Sequence, residues 1–355
     1  MNAGYPGGNA ARMRVTALAI VVPTLNEEDY ITPCVTGLLE QMPRDARLYV
    51  ADGGSTDRTV PIVAALARTD PRVVLVHNPR RTQAAAVNRV ARMLPDTHDI
   101  LVRVDAHSTY PPEFLSHLVS SYERERPASV VVASRTAGRT CFQKAVAAAL
   151  NSRLGNGGAA HRSCASVSGP IDHGHHALFD LAFFRHIGGY DERFRANEDA
   201  ELDMRITSAR GRIWLCAEAT RTYFPRKTPR ALAKQFYHYG RGRWLSAQKH
   251  NIRPRLRQLL PVLATLANAT ALLLAPLYLP LALLPALYVS ACLASGARLA
   301  FEARETCVLA SGLAAIIMHM SFGAGFLVAW GQGRPIATPV RPAKPEPVSQ
   351  NTTII

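Results

Sequence analysis

Four apolar, β-branched runs in the first third of the chain each end in a polar, turn-prone cluster. They are AIVVPTLNEE, LYVADGGSTD, VVLVHNPRRT and ILVRVDAH, at 19–28, 48–57, 73–82 and 100–107. Each run predicts a buried strand. Stretches with helical periodicity separate the runs, at 27–42, 57–69, 82–95 and 111–127. Because alternation of strand and helix makes a parallel sheet, the sequence predicts an open α/β domain with its ligand site beyond the carboxyl ends of the strands.

The clusters bring polar side chains to this edge of the predicted sheet. Each predicted strand is followed by one candidate binding residue, namely Asn26, Asp52, Arg80 and Asp105. Three of the clusters carry carboxylates, and the remaining one carries arginines that match phosphate oxygens. We therefore expect a nucleotide to bind here together with a metal ion.

The C-terminal third contains two long stretches without a charged residue. No Asp, Glu, Lys or Arg occurs in 258–297 or in 306–333, which are 40 and 28 residues long. A helix needs roughly 20 apolar residues to cross a bilayer, so both stretches are long enough. A large buried core helix is the alternative. We predict a membrane protein with a soluble N-terminal domain.

The number of membrane passes stays open. A helix of 40 residues would be roughly 60 Å long, twice the hydrocarbon thickness, so the first stretch is expected to fold back at Pro276, Pro280 or Pro285. Two passes there and one in the second stretch would put the C-terminus outside, whereas the basic tail at 334–355 favours the inside. A re-entrant hairpin followed by one pass would also put the C-terminus outside. A single bent crossing avoids this conflict with the basic tail. We expect this tail to be disordered and the N-terminus, 1–14, to be flexible.

Charge and cysteine content bear on the compartment. Between Arg221 and Arg257 there are eleven Lys or Arg and no acidic residue. A nucleic-acid patch is one interpretation, but the position directly before the first apolar stretch favours a juxtamembrane belt on the cytoplasmic side. The first 13 residues contain no long apolar region that would form a signal peptide. The six cysteines form no CxxC pair, which is typical of a reducing compartment. We expect the soluble domain to face the cytosol.

Four motifs together resemble those of a known enzyme family. VVPTLNEE, ADGGSTDRT, VDAH and NEDAELDMR, in this order, are similar to motifs of the family 2 inverting glycosyltransferases of the GT-A fold. The resemblance covers roughly 15–245, and it is greatest to bacterial exopolysaccharide enzymes of the succinoglycan glucosyltransferase type. It implies an α/β, Rossmann-like nucleotide-diphospho-sugar transferase domain with a mostly parallel sheet over 15–220. A basic juxtamembrane segment, 221–257, and transmembrane helices, 258–333, would follow.

The resemblance implies a uridine site in the first three clusters. Thr24, Asn26 and Glu27 would border the nucleoside, although Asn26 is equally well placed to cap the next helix. Asp52 would accept a hydrogen bond from the N3–H of uracil, which presents one donor between two acceptors. Arg80 or the arginine after it would contact the base or the diphosphate. As an alternative, the two arginines form a solvated pair before a helix.

The fourth cluster departs from the family pattern. Relatives usually have Asp-x-Asp, whose carboxylates hold a divalent cation against the donor phosphates, whereas this chain has Asp105-Ala106-His107. A diphosphate site prefers Mg²⁺ or Mn²⁺, and Mn²⁺ accepts imidazole more readily. We expect Asp105 to contact ribose or metal and His107 to ligate the metal. The alternative for His107 is a hydrogen-bonded loop histidine.

Two acidic residues open a predicted helix after the sheet. Asn197 is placed to cap this helix, so Glu198 and Asp199 fall in its first turn. The resemblance implies that Asp199 is the catalytic base and that Glu198 positions the acceptor. The alternative is that both acids only complement the helix dipole.

A later motif concerns the acceptor. Processive relatives carry Gln-x-x-Arg-Trp, in which the Trp stacks on the acceptor sugar; this chain keeps Arg243 and Trp244 but has Gly240 instead of the glutamine. This difference favours addition of a single sugar. Arg243 would stabilise the departing diphosphate or a lipid pyrophosphate. Alternatively, both residues anchor the chain at the membrane surface.

These features predict a membrane-anchored inverting glycosyltransferase in the cytoplasmic membrane, with no nucleic-acid partner. It would move a hexose, glucose from UDP-glucose, onto a sugar carried by a polyprenyl diphosphate in exopolysaccharide biosynthesis, with Mn²⁺ or Mg²⁺ as cofactor. Two alternatives stay open. One is a transferase whose acceptor is a polyprenyl monophosphate, and the other is a nucleotide-sugar-binding scaffold of a polysaccharide export complex.

Overall fold

The computed structural model of the protein describes residues 17–152, 155 and 167–333. The strands are β1 (Leu18–Thr24), β2 (Arg47–Asp52), β3 (Val73–His77), β4 (Ile100–Arg103), β5 (Ser108–Thr109), β6 (Ser129–Thr136), β7 (Gly169–Pro170), β8 (His175–Asp180) and β9 (Ile213–Tyr223). The helices are α1 (Ile31–Leu39), α2 (Thr59–Thr69), α3 (Gln83–Met93), α4 (Phe114–Glu125), α5 (Cys141–Asn151), α6 (Leu181–His186), α7 (Glu198–Ser208), α8 (Pro229–Lys249), α9 (Leu256–Leu274), α10 (Leu283–Ala303) and α11 (Ser311–Gly331). The predictions for 1–14 and 334–355 lie outside the described residues.

The strands form one mixed sheet. Their order is β3-β2-β1-β4-β8-β6-β9-β5, with β7 beside β9. The first four strands in this order are parallel, and Thr24 lies opposite Asp52 at the ends of β1 and β2. The parallel half therefore brings the carboxyl ends of the first strands to one edge, as the sequence predicts. β8 pairs antiparallel with both β4 and β6, so the other half is less parallel than predicted.

Helices cover both faces of the sheet, and its central strands β1 and β4 are apolar except at their last residues, Thr24 and Arg103. In β1, Ile20 and Val22 pack in the layer that contains α1, α2 and α4. Ala19 and Val21 pack on the opposite face with α3, α6 and α7. The two layers hold the strand ends, and the loops that follow them, in fixed positions.

α1 begins at Ile31, four residues later than the predicted helix at 27–42. The preceding residues are bound to a neighbouring loop instead. The backbone N–H of Glu27 donates to the Thr59 hydroxyl at 2.8 Å, and that of Glu28 donates to Asp57 Oδ2 at 3.1 Å. These long-range bonds hold 26–30 as a turn against the start of α2.

Three C-terminal segments are long and apolar enough to cross a membrane: Leu256–Leu274, Leu279–Ala303 and Thr306–Gly331. The break between α9 and α10 contains Pro276 and Pro280, so the first apolar stretch folds back where the sequence predicts a bend. α9, α10 and the connection between them expose many leucines, among them Leu260, Leu273 and Leu277 at 56%, 77% and 85%. Such contiguous apolar surface is typical of helices that face lipid.

α11 packs closely along α8, which follows the sheet domain. A Cβ atom at Gly240 would lie 1.9 Å from the carbonyl oxygen of Phe322, and one at Gly325 would lie 2.0 Å from that of Tyr237. The two backbones thus touch, which only glycine permits at these positions. Gly240, which stands where processive relatives have glutamine, is explained by this helix contact.

A disulfide joins Cys141, at the start of α5, to Cys307, between α10 and α11. Lys144 Nζ lies 2.9 Å from Glu305 Oε2 beside it. The absence of CxxC, which is typical of a reducing compartment, does not predict this pair. The physical reason is that the fold brings together two segments 166 residues apart, a proximity that local spacing does not reveal.

Candidate active site

Asp52 ends β2 and organises the turn that follows. Its Oδ2 accepts hydrogen bonds from the backbone N–H groups of Gly54 at 2.8 Å and Ser55 at 3.0 Å, and its Oδ1 accepts one from the Ser55 hydroxyl. Gly54 has a φ of +80°, which glycine adopts without a steric penalty. These bonds hold the carboxylate, 4% exposed, at the edge of the sheet.

The loop after β1 is bound to the loop after β2. Asn26 has a φ of +57°, and its Oδ1 accepts the backbone N–H of Thr56 at 2.8 Å. Asn26 therefore braces the neighbouring loop and does not cap α1. The hydroxyl of Thr24 is buried without a hydrogen-bond partner in the described part of the chain. An unsatisfied hydroxyl of this kind is rare, and here it lies at the strand end predicted to meet a ligand.

The two arginines after β3 have different partners. Arg80 is 72% exposed, and its Nη1 lies 2.7 Å from Glu192 Oε2. Arg81 donates to the carbonyl oxygens of Gly53 at 2.9 Å and Gly54 at 3.1 Å. Arg81 thus supports the turn after β2, whereas Arg80 projects towards the loop that precedes α7.

Asp105, just after β4, is surrounded by donors and positive charge. Gln83 Nε2 donates to its Oδ1 at 3.0 Å, and Arg221 Nη1 donates to its Oδ2. Arg103 Nη2 lies 3.6 Å from Oδ1, and His175 Nε2 lies 3.5 Å from Oδ2. Burial raises the pKa of Asp105, but the neighbouring imidazole and guanidinium charges hold it well below its usual range. The carboxylate is therefore ionised.

His107 is paired with Glu27, a residue that the sequence predicts to border the nucleoside. His107 Nδ1 lies 3.0 Å from Glu27 Oε1. A proton on Nδ1 would leave the Nε2 lone pair for a ligand. A carboxylate behind an imidazole is the usual setting of a metal-ligating histidine.

Asp105 and His107, the predicted metal ligands, would offer one carboxylate and one imidazole to a divalent cation. In residues 17–152, 155 and 167–333, no three His, Cys, Asp or Glu side chains gather as a metal site. Mg²⁺ and Mn²⁺ commonly take their other ligands from substrate phosphates and water. The donor set therefore fits a cation shared with a diphosphate.

Asp199 lies in the first turn of α7, as the sequence predicts. Its Oδ1 accepts hydrogen bonds from Arg103 Nη1 and from the Tyr190 hydroxyl, both at 2.6 Å. His175 Nδ1 lies 3.7 Å from its Oδ2. Arg103 and His175 also flank Asp105, so the structure brings the two predicted carboxylates to the same pair of side chains.

The two acids at the start of α7 differ in proton affinity. Burial raises the pKa of Asp199, but the Arg103 guanidinium and the nearby histidines lower it below its usual value. Burial and the charge of Asp199 together raise the pKa of Glu198 to about 7. Asp199 is therefore ionised at neutral pH, as a proton acceptor must be.

Asn197 occupies the N-cap position of α7, as predicted, but its side chain makes no capping hydrogen bond. Its φ of +63° directs the side chain towards α8, where Nδ2 donates to the carbonyl oxygen of Tyr239 at 2.6 Å. A Cβ atom at Gly242 would lie 2.3 Å from the carbonyl oxygen of Ala196. α8 thus packs directly on the residues that precede Asp199.

Arg243 and Trp244 lie on α8 close to the apolar helices. The Trp244 ring is 5.3 Å from that of Phe326 in α11, and its indole N–H is buried without a partner in the described residues. Burial and the charge of Arg257 lower the pKa of Arg243. The charge of Asp203 opposes this shift. The acceptor roles of both residues stay predictions.

Sequence reasoning missed several side chains of this site: Gln83, Arg103, His175, Tyr190 and Arg221. A signal existed for Arg103, because a charge inside the apolar run ILVRV requires a buried partner. Arg221 was assigned to the basic juxtamembrane segment, yet it is 7% exposed in β9 and pairs with Asp105.

Comparison with known proteins identifies the family to which the chain belongs. Residues 19–188 match Glycosyl transferase family 2. The succinoglycan biosynthesis protein ExoA of Rhizobium meliloti (strain 1021) is 43% identical over 312 residues, which are 88% of this chain and 94% of that protein. The chain therefore belongs to glycosyl transferase family 2 and is a glycosyltransferase.

Two further relatives are more distant. Dolichyl N-acetyl-alpha-D-glucosaminyl phosphate 3-beta-D-2,3-diacetamido-2,3-dideoxy-beta-D-glucuronosyltransferase of Methanococcus voltae is 28% identical over 111 residues, which are 30% of this chain and 34% of that enzyme. The mannosyltransferase PcManGT from Pyrobaculum calidifontis, solved with GDP-Man and Mn2+, superposes with a TM-score of 0.61 at 20% identity. The match covers 91% of this chain and 89% of that one, and it supports the GT-A fold.

Proposed function

We propose that the protein transfers a hexose, glucose from UDP-glucose, with inversion onto a sugar carried by a polyprenyl diphosphate. The observation that carries the proposal is the approach of Asp105 and Asp199 to the same two side chains, Arg103 and His175. The name of the 43% identical relative, a succinoglycan biosynthesis protein, supports a role in exopolysaccharide biosynthesis.

The transfer would be a single displacement at the anomeric carbon. The acceptor hydroxyl gives its proton to Asp199 while its oxygen bonds to that carbon. The bond from the same carbon to the diphosphate oxygen breaks, and UDP departs with the bonding electrons. Glu198, beside the base, would position the acceptor.

The donor would lie along the edge formed by the ends of β1, β2 and β4. Thr24, Asn26 and Glu27 would border the nucleoside, and Asp52 would face the uracil N3–H. Arg80 would contact the base or diphosphate by leaving its ion pair with Glu192, a step that its exposure makes easy.

A divalent cation, Mn²⁺ or Mg²⁺, would be held by Asp105 and His107 together with the donor diphosphate. When bound, it would neutralise charge that develops on the departing diphosphate. The solved relative that contains Mn2+ supports this cofactor class.

The acceptor would be presented at the membrane surface. The leucine-rich faces of α9 and α10 support insertion into the bilayer, and α8, which carries Arg243 and Trp244, packs on both α11 and the residues before Asp199. The M. voltae relative is named for a dolichyl-linked phosphate, which supports a lipid-linked acceptor. Because UDP-sugars are cytosolic substrates, the catalytic domain would face the cytosol.

The test is UDP release and lipid glycosylation in native membranes supplied with UDP-glucose and Mn²⁺. Asp199→Asn should abolish both, whereas Asp96→Asn, at a fully exposed carboxylate, should leave both unchanged. Unaltered transfer by Asp199→Asn would defeat the proposal. The mass of the extracted lipid product distinguishes a diphosphate-linked sugar acceptor from a polyprenyl monophosphate. UDP-glucose replaced by other sugar nucleotides in the same assay tests which donor the protein uses.

A further inference from the structure

Arg103 is a buried charge between two carboxylates. Its side chain is 2% exposed, and Nη1 lies 2.6 Å from Asp199 Oδ1 and 2.7 Å from the Tyr190 hydroxyl. Nη2 lies 3.6 Å from Asp105 Oδ1. Arg103 ends β4, which is flanked by β1 and β8 in the middle of the sheet. Its backbone is therefore held rigidly, and the planar guanidinium can fix the position of its partners.

Tyr190, the second donor to Asp199, is also held firmly. Asn88 Nδ2 donates to its carbonyl oxygen at 2.8 Å, and its own N–H donates to Asn88 Oδ1 at 2.8 Å. Its ring packs edge-on against Phe184, with the centroids 5.6 Å apart. The hydroxyl thus reaches Asp199 from a fixed ring.

We propose that Arg103 and Tyr190 are positioning residues that leave Asp199 one reactive oxygen. The inference rests on the proposed function, in which Asp199 is the base. Oδ1 already accepts two hydrogen bonds, whereas Oδ2 faces the His175 imidazole, whose Nδ1 at 3.7 Å is beyond hydrogen-bond range. Oδ2 is therefore the oxygen that receives the acceptor proton.

The contact between Arg103 and Asp199 also keeps the Asp199 carboxylate ionised, so that it can accept a proton. The titratable or charged groups that face Asp199 are Arg103 of β4, His175 and His176 of β8, Tyr190 before α7 and Glu198 of α7. Without the guanidinium, burial and the adjacent Glu198 would favour the protonated acid. An already protonated Asp199 cannot accept the acceptor proton near neutral pH.

The test is the pH dependence of kcat, with the KM for UDP-glucose measured at each pH. In Arg103→Met, the acid limb of kcat should move to higher pH by roughly 1–3 units, because an opposite charge at this distance lowers a carboxylate pKa by that amount. At pH 7, above the shifted limb, kcat should still fall about 100-fold because the base is no longer held in place, a loss within the range of general-base effects. Tyr190→Phe, which keeps the ring, should move the limb in the same direction by less.

A matched control separates positioning from a loss of stability. Arg205→Met also removes a buried ion pair from α7, since Arg205 Nη2 lies 2.7 Å from Glu201 Oε2, but it leaves the contacts of Asp199 intact. This variant should lower Tm without moving the limb.

The outcomes distinguish this inference from the proposed function. If Asp199→Asn retains transfer, the proposed function fails. If Asp199→Asn is inactive while Arg103→Met keeps the wild-type limb, only the positioning role is wrong. If Arg103→Met does not fold, Tyr190→Phe decides, and an unmoved limb there contradicts the inference.

Discussion

Glu27 and His107, 80 residues apart in the chain, meet at 3.0 Å between Oε1 and Nδ1. Relatives with Asp-x-Asp have a carboxylate where this chain has His107. Here a carboxylate lies behind the imidazole and would direct Nε2 outwards as a neutral nitrogen ligand. The pair thus offers a physical reason why histidine could replace aspartate without loss of metal binding.

This contact predicts a graded loss of metal affinity. Glu27→Gln should weaken Mn²⁺ binding in the presence of UDP about 10-fold, the lower end of typical outer-shell effects, and His107→Ala should weaken it further. Mn²⁺ titrations by electron paramagnetic resonance measure binding independently of activity. Glu28→Gln is the matched control, because the Glu28 carboxylate accepts the Arg58 N–H at 3.0 Å instead. An unaltered titration in His107→Ala would remove His107 from the metal site.

The raised pKa of Glu198 predicts that the stability of the protein depends on pH. Its pKa rises from the ordinary 4.5 to about 7, so the folded protein holds the proton more tightly than the unfolded chain. The stabilisation is complete below pH 4.5 and is lost as pH rises through 7, by about 3 kcal/mol. Thermal unfolding in detergent should therefore give Glu198→Gln a higher Tm than wild type at pH 8 and a similar Tm at pH 4.5. A constant difference between the two proteins across this range would contradict the pKa shift.

A site residue could be predicted where its position follows from the neighbouring sequence, and could not where it depends on residues distant in the chain. Asp52 and Asp105 each follow an apolar strand, and the parallel sheet brings strand ends together, so their placement at one edge followed from the sequence pattern. The contact of Arg103 with Asp199 spans 96 residues and depends on how α7 packs against β4. Sequence periodicity contains no such information.

Local rules also failed where tertiary contacts override them. Helix capping was predicted for Asn197 and was the alternative for Asn26, yet both adopt left-handed φ angles and their side chains bind neighbouring segments. Arg221 belongs to a basic run in the sequence, but charge patterning cannot tell a buried arginine from an exposed one. Its partner, Asp105, is 116 residues away.

The contact between α8 and α11 predicts that Gly240 is required for packing. In Gly240→Ala, the new Cβ atom would lie 1.9 Å from the Phe322 carbonyl oxygen, so the helices must separate. Overpacking of this kind costs about 1–3 kcal/mol, which thermal unfolding would reveal as a lower Tm. Gly37→Ala in α1, where nothing lies within 4 Å, should be neutral or slightly stabilising. Equal Tm values for Gly240→Ala and Gly37→Ala would contradict the close contact. Gly240→Gln should also lower the Tm, and it should not confer processive synthesis.

The disulfide between Cys141 and Cys307 predicts a covalent link between the sheet domain and the apolar helices. Cyanogen bromide cleaves after Met93, Met204 and Met318, so the two cysteines fall in different fragments, 94–204 and 205–318. In protein isolated without reductant, these fragments should migrate together in electrophoresis and separate after reduction. Cys141→Ser should separate them at once and lower the stability by about 2–4 kcal/mol, whereas Cys34→Ser, at a buried free thiol, should leave them joined. If the fragments separate in the unreduced wild type, both thiols are free. That outcome would agree with the cysteine spacing, which alone suggests free thiols in a chain whose soluble domain faces a reducing compartment.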